Sequence, residues 1–181
     1  MKPFGWSFNS YQQDTDYDCG PCTVQTLMSY HAKNPPDVDI LRAALRTTEN
    51  GTKPESIVEF LKSLKWYVYA VESSPEKPPD DCDVKWLLEH LNRGPIMVLY
   101  ADWGGHYGLI VKHDLEGLKE GDGGRLWVAH PMAEYDGYYT GVQPMSVVHF
   151  KDLWWAPGWL FDGRTHCGWW MLACPQDVLT K

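Results

Sequence analysis

The order of secondary-structure signals along the chain is the feature that most restricts its fold. Helical patterns fill most of the first half, and short apolar runs separated by glycine-containing turns fill most of the second. Helices followed by antiparallel strands are typical of an α+β domain. The sequence therefore predicts an α+β fold with two lobes, and a groove between two such lobes is a usual place for a site.

Apolar spacing, capping residues and turn residues give the expected bounds of the elements. The third helix is expected to start at the capping-box pattern Thr52-Lys53-Pro54-Glu55 and to end near residue 64. The other predicted helices are residues 19–32, 40–46, 83–92 and 146–155, and the predicted strands are 66–71, 96–100, 106–112, 125–130 and 169–173. We expect one domain over residues 1–181, mainly helical in 1–94 and mainly β in 95–181.

Charge and cysteine usage exclude several kinds of partner. The 181 residues include 24 Asp and Glu against 16 Lys and Arg, so the net charge is −8, the opposite of a nucleic-acid-binding surface. No apolar run is long enough to cross a bilayer, and the first residues lack the apolar core of a signal peptide. Five cysteines, an odd number, leave at least one free thiol. We therefore expect no nucleic-acid partner, no membrane span and a cytoplasmic location.

The motif Cys19-Gly20-Pro21-Cys22 carries the most specific chemical signal in the chain. It is the dithiol motif of thioredoxins, in which a thiolate at a helix N-terminus works with a resolving thiol one turn later. A thioredoxin places this motif after a buried apolar strand, whereas polar residues 11–18 precede it here. A four-thiolate zinc site with Cys167 and Cys174 has poor spacing, because the six residues between those two have the pattern of a strand.

The third interpretation of this motif is nucleophilic catalysis by Cys19. The positive end of a helix and its unpaired N–H groups stabilise a thiolate at this position. A base is also needed, and His106 opens a predicted strand directly after Gly104 and Gly105, where a substrate could approach the backbone closely. The pattern therefore predicts a thiol enzyme with Cys19 as nucleophile and His106 as base.

These residues resemble those of a known family. Gln13 six positions before Cys19, then Asp18-Cys19-Gly20-Pro21, and later Gly105-His106-Tyr107, are similar to the papain-like cysteine peptidases that remove bacteriocin leaders after a double glycine. The resemblance implies a papain-like fold, with a helical lobe carrying the cysteine and an antiparallel β lobe carrying the histidine. It also implies that Gln13 helps to form the oxyanion hole. His130-Pro131 and Phe150-Lys151-Asp152-Leu153-Trp154 match later parts of the family pattern.

Two departures from the family pattern concern the third catalytic residue and the domain context. His130 stands where the family usually has an orienting carboxylate, and we expect it to accept a hydrogen bond from His106 through its unprotonated nitrogen. Asp102, Asp114 and Asp136 are the alternative carboxylates. Family members that process leaders are commonly fused to an exporter, whereas this chain has the pattern of a stand-alone domain.

The sequence thus predicts a cysteine peptidase that cleaves a peptide or isopeptide bond through a thioester. Its catalytic residues are Cys19, His106, His130 and Gln13, its partner is a peptide or protein substrate, and no cofactor or metal is expected. Three alternatives stay open: a thiol acyltransferase of the same fold, a catalytically impaired peptide-binding domain, and a dithiol oxidoreductase.

Overall fold

A computed structural model describes residues 7–71, 84–100, 105–114, 124–132, 141–155, 160–161, 164–165 and 168–178. The α-helices in these ranges are α1 (Cys19–Tyr30), α2 (Val38–Ala44), α3 (Pro54–Ser63), α4 (Val84–Leu91) and α5 (Val147–Trp155). The strands are β1 (Trp66–Val71), β2 (Ile96–Tyr100), β3 (His106–Asp114), β4 (Arg125–Ala129), β5 (Val142–Ser146), β6 (Leu160–Phe161), β7 (Arg164–Thr165) and β8 (Trp170–Pro175), followed by a 3-10 turn at Gln176–Val178.

One six-stranded sheet organises the fold, in the order β1-β8-β2-β3-β4-β5. All neighbouring strands in it are antiparallel, and β6 and β7 form a separate two-stranded hairpin. The predicted α+β class is confirmed. The sheet includes β1, which comes from the mainly helical half of the chain. The chain therefore contributes one strand, β1, before α4 and continues with β2 after it.

Helices cover both faces of this sheet. Alternate residues of β2 belong to different cores: Met97 and Leu99 pack with α1, α2 and α3, whereas Ile96 and Val98 pack with α4 and α5. A strand that is buried on both faces has a continuous apolar sequence, which explains the run Ile96-Met97-Val98-Leu99-Tyr100. The helix that carries Cys19 therefore lies on one defined face of the sheet.

Helix α1 is buried along almost its whole length, from Cys19 to Met28. Its polar side chains are therefore hydrogen-bonded, as burial requires. Thr26 donates to the carbonyl oxygen of Cys22 at 2.9 Å, and Gln25 donates to that of Pro36 at 2.9 Å. Both of these buried polar side chains of α1 are thus satisfied within the protein.

One local prediction was wrong, and three strands (β5, β6 and β7) were not predicted. The capping box at Thr52 does not form: Lys53 is the N-cap of α3 and makes no side-chain cap bond, while the Thr52 hydroxyl pairs with that of Thr47 at 2.7 Å. Strand β5 was missed because it contains Pro144. An edge strand tolerates a proline, since one side of its backbone needs no ladder partner.

No helix in the described ranges has the length and apolar character needed to cross a membrane.

Candidate active site

The proposed nucleophile Cys19 is the first residue of α1, which packs directly against β3. The next residue, Gly20, has no room for a side chain, because an added Cβ would lie 2.6 Å from the Thr52 hydroxyl oxygen. Thr52 is held in turn by Tyr107, whose phenol donates a 2.8 Å hydrogen bond to the Thr52 carbonyl oxygen. The glycine after the cysteine therefore lets the start of α1 approach the segment that precedes α3.

The proposed base His106 is the first residue of β3, and the next residue, Tyr107, contacts Cys19. The backbone of Tyr107 makes a hydrogen bond to the Cys19 thiol. The Thr23 hydroxyl donates to the Tyr107 carbonyl oxygen at 3.5 Å, one turn further along α1. These contacts bring the start of α1 against the Tyr107 backbone, one residue from His106.

Burial keeps this pair uncharged at rest. It raises the pKa of the Cys19 thiol to about 11, which backbone hydrogen bonds from Tyr107 and Gly20 only partly offset. Burial also lowers the pKa of His106 well below its usual value, and neighbouring His130 lowers it further. At neutral pH the pair is therefore a thiol and a neutral imidazole. Burial thus opposes the thiolate that the helix end would favour.

His130 follows β4 and lies beside the base. The two imidazole ring centres of His106 and His130 are 4.4 Å apart, their planes are inclined by 35°, and both side chains are buried. The Nδ1 atom of His130 accepts a hydrogen bond from the Met132 backbone N–H at 3.2 Å. That bond occupies Nδ1, so any hydrogen bond between the two imidazoles would have to use Nε2 of His130. The expectation that His130 accepts a hydrogen bond from His106 stays a prediction.

Residues 9–13, which we call the arm, connect α1 to the segments around His130. On one side, backbone N–H groups of the arm donate to hydroxyls of α1, from Tyr11 to Thr26 and from Asn9 to Ser29. On the other side, the arm donates to carbonyl oxygens of three residues: Gln12 to His130, Gln13 to Pro131 and Ser10 to Gly141. The arm thus ties the cysteine helix to the end of β4, which sequence reasoning did not anticipate.

Gln13, the last residue of the arm, is half-buried and fixed at two points. Its backbone N–H donates to the Pro131 carbonyl oxygen at 3.0 Å, and its side-chain Nε2 donates to the Thr15 carbonyl oxygen at 2.9 Å. Its Oε1 is buried and has no hydrogen-bond partner among the described residues. An amide nitrogen carries two N–H groups, so the bond to Thr15 leaves one for a ligand.

The alternative carboxylates are not brought to His106 in the described part of the chain. Asp114 lies at the opposite end of β3, eight residues from His106, which is about 26 Å along a strand. Asp102 and Asp136 lie outside the described residues, so the predictions for them stay predictions.

The second cysteine of the motif, Cys22, has surroundings that suit packing in the interior better than disulfide exchange. Cys22 is buried and unpaired, and its thiol donates to the Gln12 carbonyl oxygen at 3.4 Å. Burial raises the pKa of Cys22 to about 12, which makes it a poor attacking thiolate. A loop, not a strand, precedes α1. Cys167, part of the considered zinc site, lies outside the described residues. Among the described residues, no group of three or more Cys, His, Asp or Glu could hold a metal ion.

Three solved structures that share this fold are peptidase or protease domains. The peptidase domain of Streptococcus ComA, a bifunctional ABC transporter of a quorum-sensing pathway, is 17% identical with a TM-score of 0.65, over 93% of this chain and 99% of that domain. A double-glycine motif protease from an AMS/PCAT transporter, solved with its leader peptide, is 12% identical with a TM-score of 0.60, over 94% of each chain. The peptidase domain of Streptococcus mutans ComA is 16% identical with a TM-score of 0.57, over 93% and 100%.

Sequence comparison agrees with this fold. No curated protein sequence matches the chain. Residues 7–114, more than half of the chain, match the Peptidase C39 family, and they include the arm, all of α1 and all of β3. The resemblance seen in the sequence is therefore confirmed. This chain belongs to the Peptidase C39 family of cysteine peptidases.

Proposed function

We propose that this peptidase cleaves the peptide bond after a double glycine in a leader peptide. The observation that carries the proposal is the meeting of Cys19, at the start of α1, with the beginning of β3, where His106 lies. The solved double-glycine protease that shares this fold holds a leader peptide, which supports a substrate of the same kind. The unpaired thiols Cys19, Cys22 and Cys174 suit a reducing compartment such as the cytoplasm.

In the proposed mechanism, His106 takes the proton of Cys19 as the sulfur attacks the carbonyl carbon of the second glycine. Cys19 and His106 are both neutral before the reaction. The proton therefore passes from the thiol to the imidazole, and no proton is exchanged with solvent in this step. The carbonyl oxygen becomes an oxyanion, which accepts hydrogen bonds from the Cys19 backbone N–H and from the Gln13 side chain. Collapse releases the amine, which receives the proton from His106. Water then hydrolyses the thioester.

The environment of His106 supports a second candidate, a peptide-binding domain with impaired catalysis. The base has an imidazole as its neighbour where a carboxylate would favour the imidazolium, and burial lowers the pKa of His106. Such a domain would bind the leader and cleave slowly or not at all.

Incubation with a peptide library, followed by sequencing of the products, tests the proposed function. We expect new N-termini that follow Gly-Gly, and no such products from Cys19→Ala. Gln13→Ala should lower turnover by about 10²-fold, while alkylation of Cys19 stays nearly unchanged, because the donor acts on the oxyanion and not on the thiol.

Gln176→Ala is the matched control, since Gln176 is exposed in the 3-10 turn Gln176–Val178, outside α1 and the arm. It should keep full turnover. Binding of a leader peptide without cleavage would favour the impaired domain. Cleavage at bonds unrelated to glycine would contradict the proposed substrate.

A further inference from the structure

A buried ion pair lies beside the nucleophile and has no part in the mechanism above. The Asp18 side chain is fully buried immediately before Cys19. Arg42 reaches it from α2 with two N–H donors, Nε to Oδ1 and Nη2 to Oδ2, each at 2.5 Å. The Arg42 guanidinium also pairs with Asp39 and lies 5.8 Å from the Tyr17 ring centre. This two-pronged geometry fixes both position and orientation of the carboxylate.

The charges of this pair stabilise one another. Burial by itself raises the pKa of Asp18, but hydrogen bonds from Arg42 and Thr15 and the charge of Arg42 outweigh burial, so the pKa falls below its ordinary value. The hydrogen bonds to Asp18 raise the pKa of Arg42. The carboxylate next to the nucleophile is therefore ionised and depends on Arg42 for its place.

Hydrogen bonds continue from this carboxylate to the oxyanion donor. The Thr15 hydroxyl donates to Asp18 Oδ2 at 2.6 Å. The Thr15 carbonyl oxygen accepts from the Asp18 backbone N–H at 3.3 Å and from Gln13 Nε2 at 2.9 Å. Asp18 thus holds Thr15 through side chain and backbone, and Thr15 holds the amide of Gln13.

We propose that Arg42 is a positioning residue for the Gln13 amide, acting through Asp18 and Thr15. The inference rests on the proposed function, in which Gln13 donates to the oxyanion. Arg42 touches neither the thiol nor the substrate carbonyl in that mechanism. Arg42 fixes the orientation of the Asp18 carboxylate, and the carboxylate fixes the position of the loop of residues 13–18. This loop directs one N–H of Gln13 toward the negative charge that develops on the substrate oxygen.

Arg42→Lys breaks this geometry while keeping the positive charge. A lysine offers a point charge where the arginine offers a planar fork, so the carboxylate loses its fixed orientation. We expect about a 10-fold loss of kcat toward a peptidyl-Gly-Gly-aminocoumarin amide, because small misplacements of catalytic groups are costly. Arg46→Lys is the matched control: Arg46 lies just beyond α2 and pairs on the surface with Glu59 at 3.5 Å, so kcat should not change.

A double-mutant cycle separates positioning from general support of the fold. If Arg42 acts through Gln13, Arg42→Lys should lower kcat about 10-fold in the parent and by less than 2-fold in the Gln13→Ala background. A similar loss in both backgrounds, or no loss in the parent, would overturn the proposal. Cys19 alkylation should proceed at the parent rate in Arg42→Lys, which a general loosening of α1 would not allow.

Thr15→Val gives the same test if Arg42→Lys does not fold. It keeps the side-chain shape and the Thr15 carbonyl, removes only the hydroxyl bond to Asp18, and should show the same dependence on Gln13. A parent that cleaves no Gly-Gly amide, or a Gln13→Ala variant with parental kcat, contradicts the proposed function and the inference with it. An active, Gln13-dependent parent with an additive cycle contradicts the inference alone.

Discussion

His130→Asp should turn the resting neutral pair of Cys19 and His106 toward a thiolate–imidazolium pair. In the parent, the residue beside the base is a buried imidazole whose Nδ1 accepts the Met132 backbone N–H. A carboxylate can accept that same N–H two residues ahead with one oxygen, as aspartate side chains do in turns. The substitution therefore keeps the local hydrogen bond and adds a negative charge beside the base.

The ring separation sets the size of the effect. A unit negative charge at the centre of the His130 ring, 4.4 Å from that of His106, would favour the imidazolium by about 4 kcal/mol at an effective dielectric constant of about 20. Aspartate is shorter than histidine, so its charge lies further from the base, and we take about half of this energy. About 2 kcal/mol shifts the ion-pair equilibrium by about 30-fold.

Alkylation of Cys19 by iodoacetamide between pH 5 and pH 10 measures this shift. In the parent the rate should climb through the alkaline range, because burial raises the Cys19 pKa to about 11. In His130→Asp, a plateau of reactivity should appear near neutral pH, about 30-fold above the parent, with faster peptide cleavage there. Peptide mass analysis assigns the label to Cys19 and separates it from Cys22, whose pKa is raised to about 12.

His130→Asn is the matched control, since it keeps the turn hydrogen bond without the charge and should follow the parent profile. His130→Ala removes the side chain and should lower turnover by roughly 10- to 10³-fold. If the Asp, Asn and Ala variants all alkylate like the parent, His130 does not act on His106, and the reasoning is refuted.

Three further outcomes are expected. Cys22→Ser should keep peptide cleavage and resist peroxide better than the parent, because Cys19 then has no nearby thiol with which to form a disulfide. If the parent reduces disulfides and this variant does not, the result would support an oxidoreductase instead. Gly20→Ala should lower the free energy of unfolding in urea by about 1–3 kcal/mol, because its Cβ would lie 2.6 Å from Thr52, and an unchanged midpoint would contradict that tight contact. Burial lowers the pKa of His106, so as the pH falls the unfolded chain binds a proton at this residue before the folded chain does. At pH values below about 6.5 the free energy of unfolding should therefore decrease, by up to about 1.4 kcal/mol per pH unit. His106→Gln should flatten that slope, and an equal slope in the variant would argue against burial of the ring.

Local pattern was sufficient for most of the fold. The spacing of apolar residues in α1 and α3, and the continuous apolar run of β2, record which faces are buried. Strand β5 escaped detection because Pro144 breaks the strand pattern, and only its place at the sheet edge makes the proline acceptable. The capping box at Thr52 failed because tertiary contacts with Thr47 and Tyr107 engage that residue instead.

Motif spacing pointed to Cys19, His106, Gln13 and His130 as the candidate site, and their roles stay predictions. In the described structure, Cys19 at the start of α1 contacts the backbone of Tyr107, one residue from His106. The neutral state of the thiol depends on how deeply α1 is buried, which no local pattern records. The fork of Arg42 on Asp18 joins residues 24 positions apart through side chains alone, so neither periodicity nor motif spacing could have found it.

The arm links the beginning of the chain to segments in its second half. The hydrogen bond from Gln12 to His130 closes a loop of 118 residues, and the partners of the arm extend to Gly141. Contacts so distant in sequence form late, after the local helices, because the entropy of closing such a loop must be overcome first. On the ribosome, the nucleophile emerges more than a hundred residues before the segments that complete its surroundings. The surroundings of Cys19 are therefore complete only when the second half of the chain folds back onto the first.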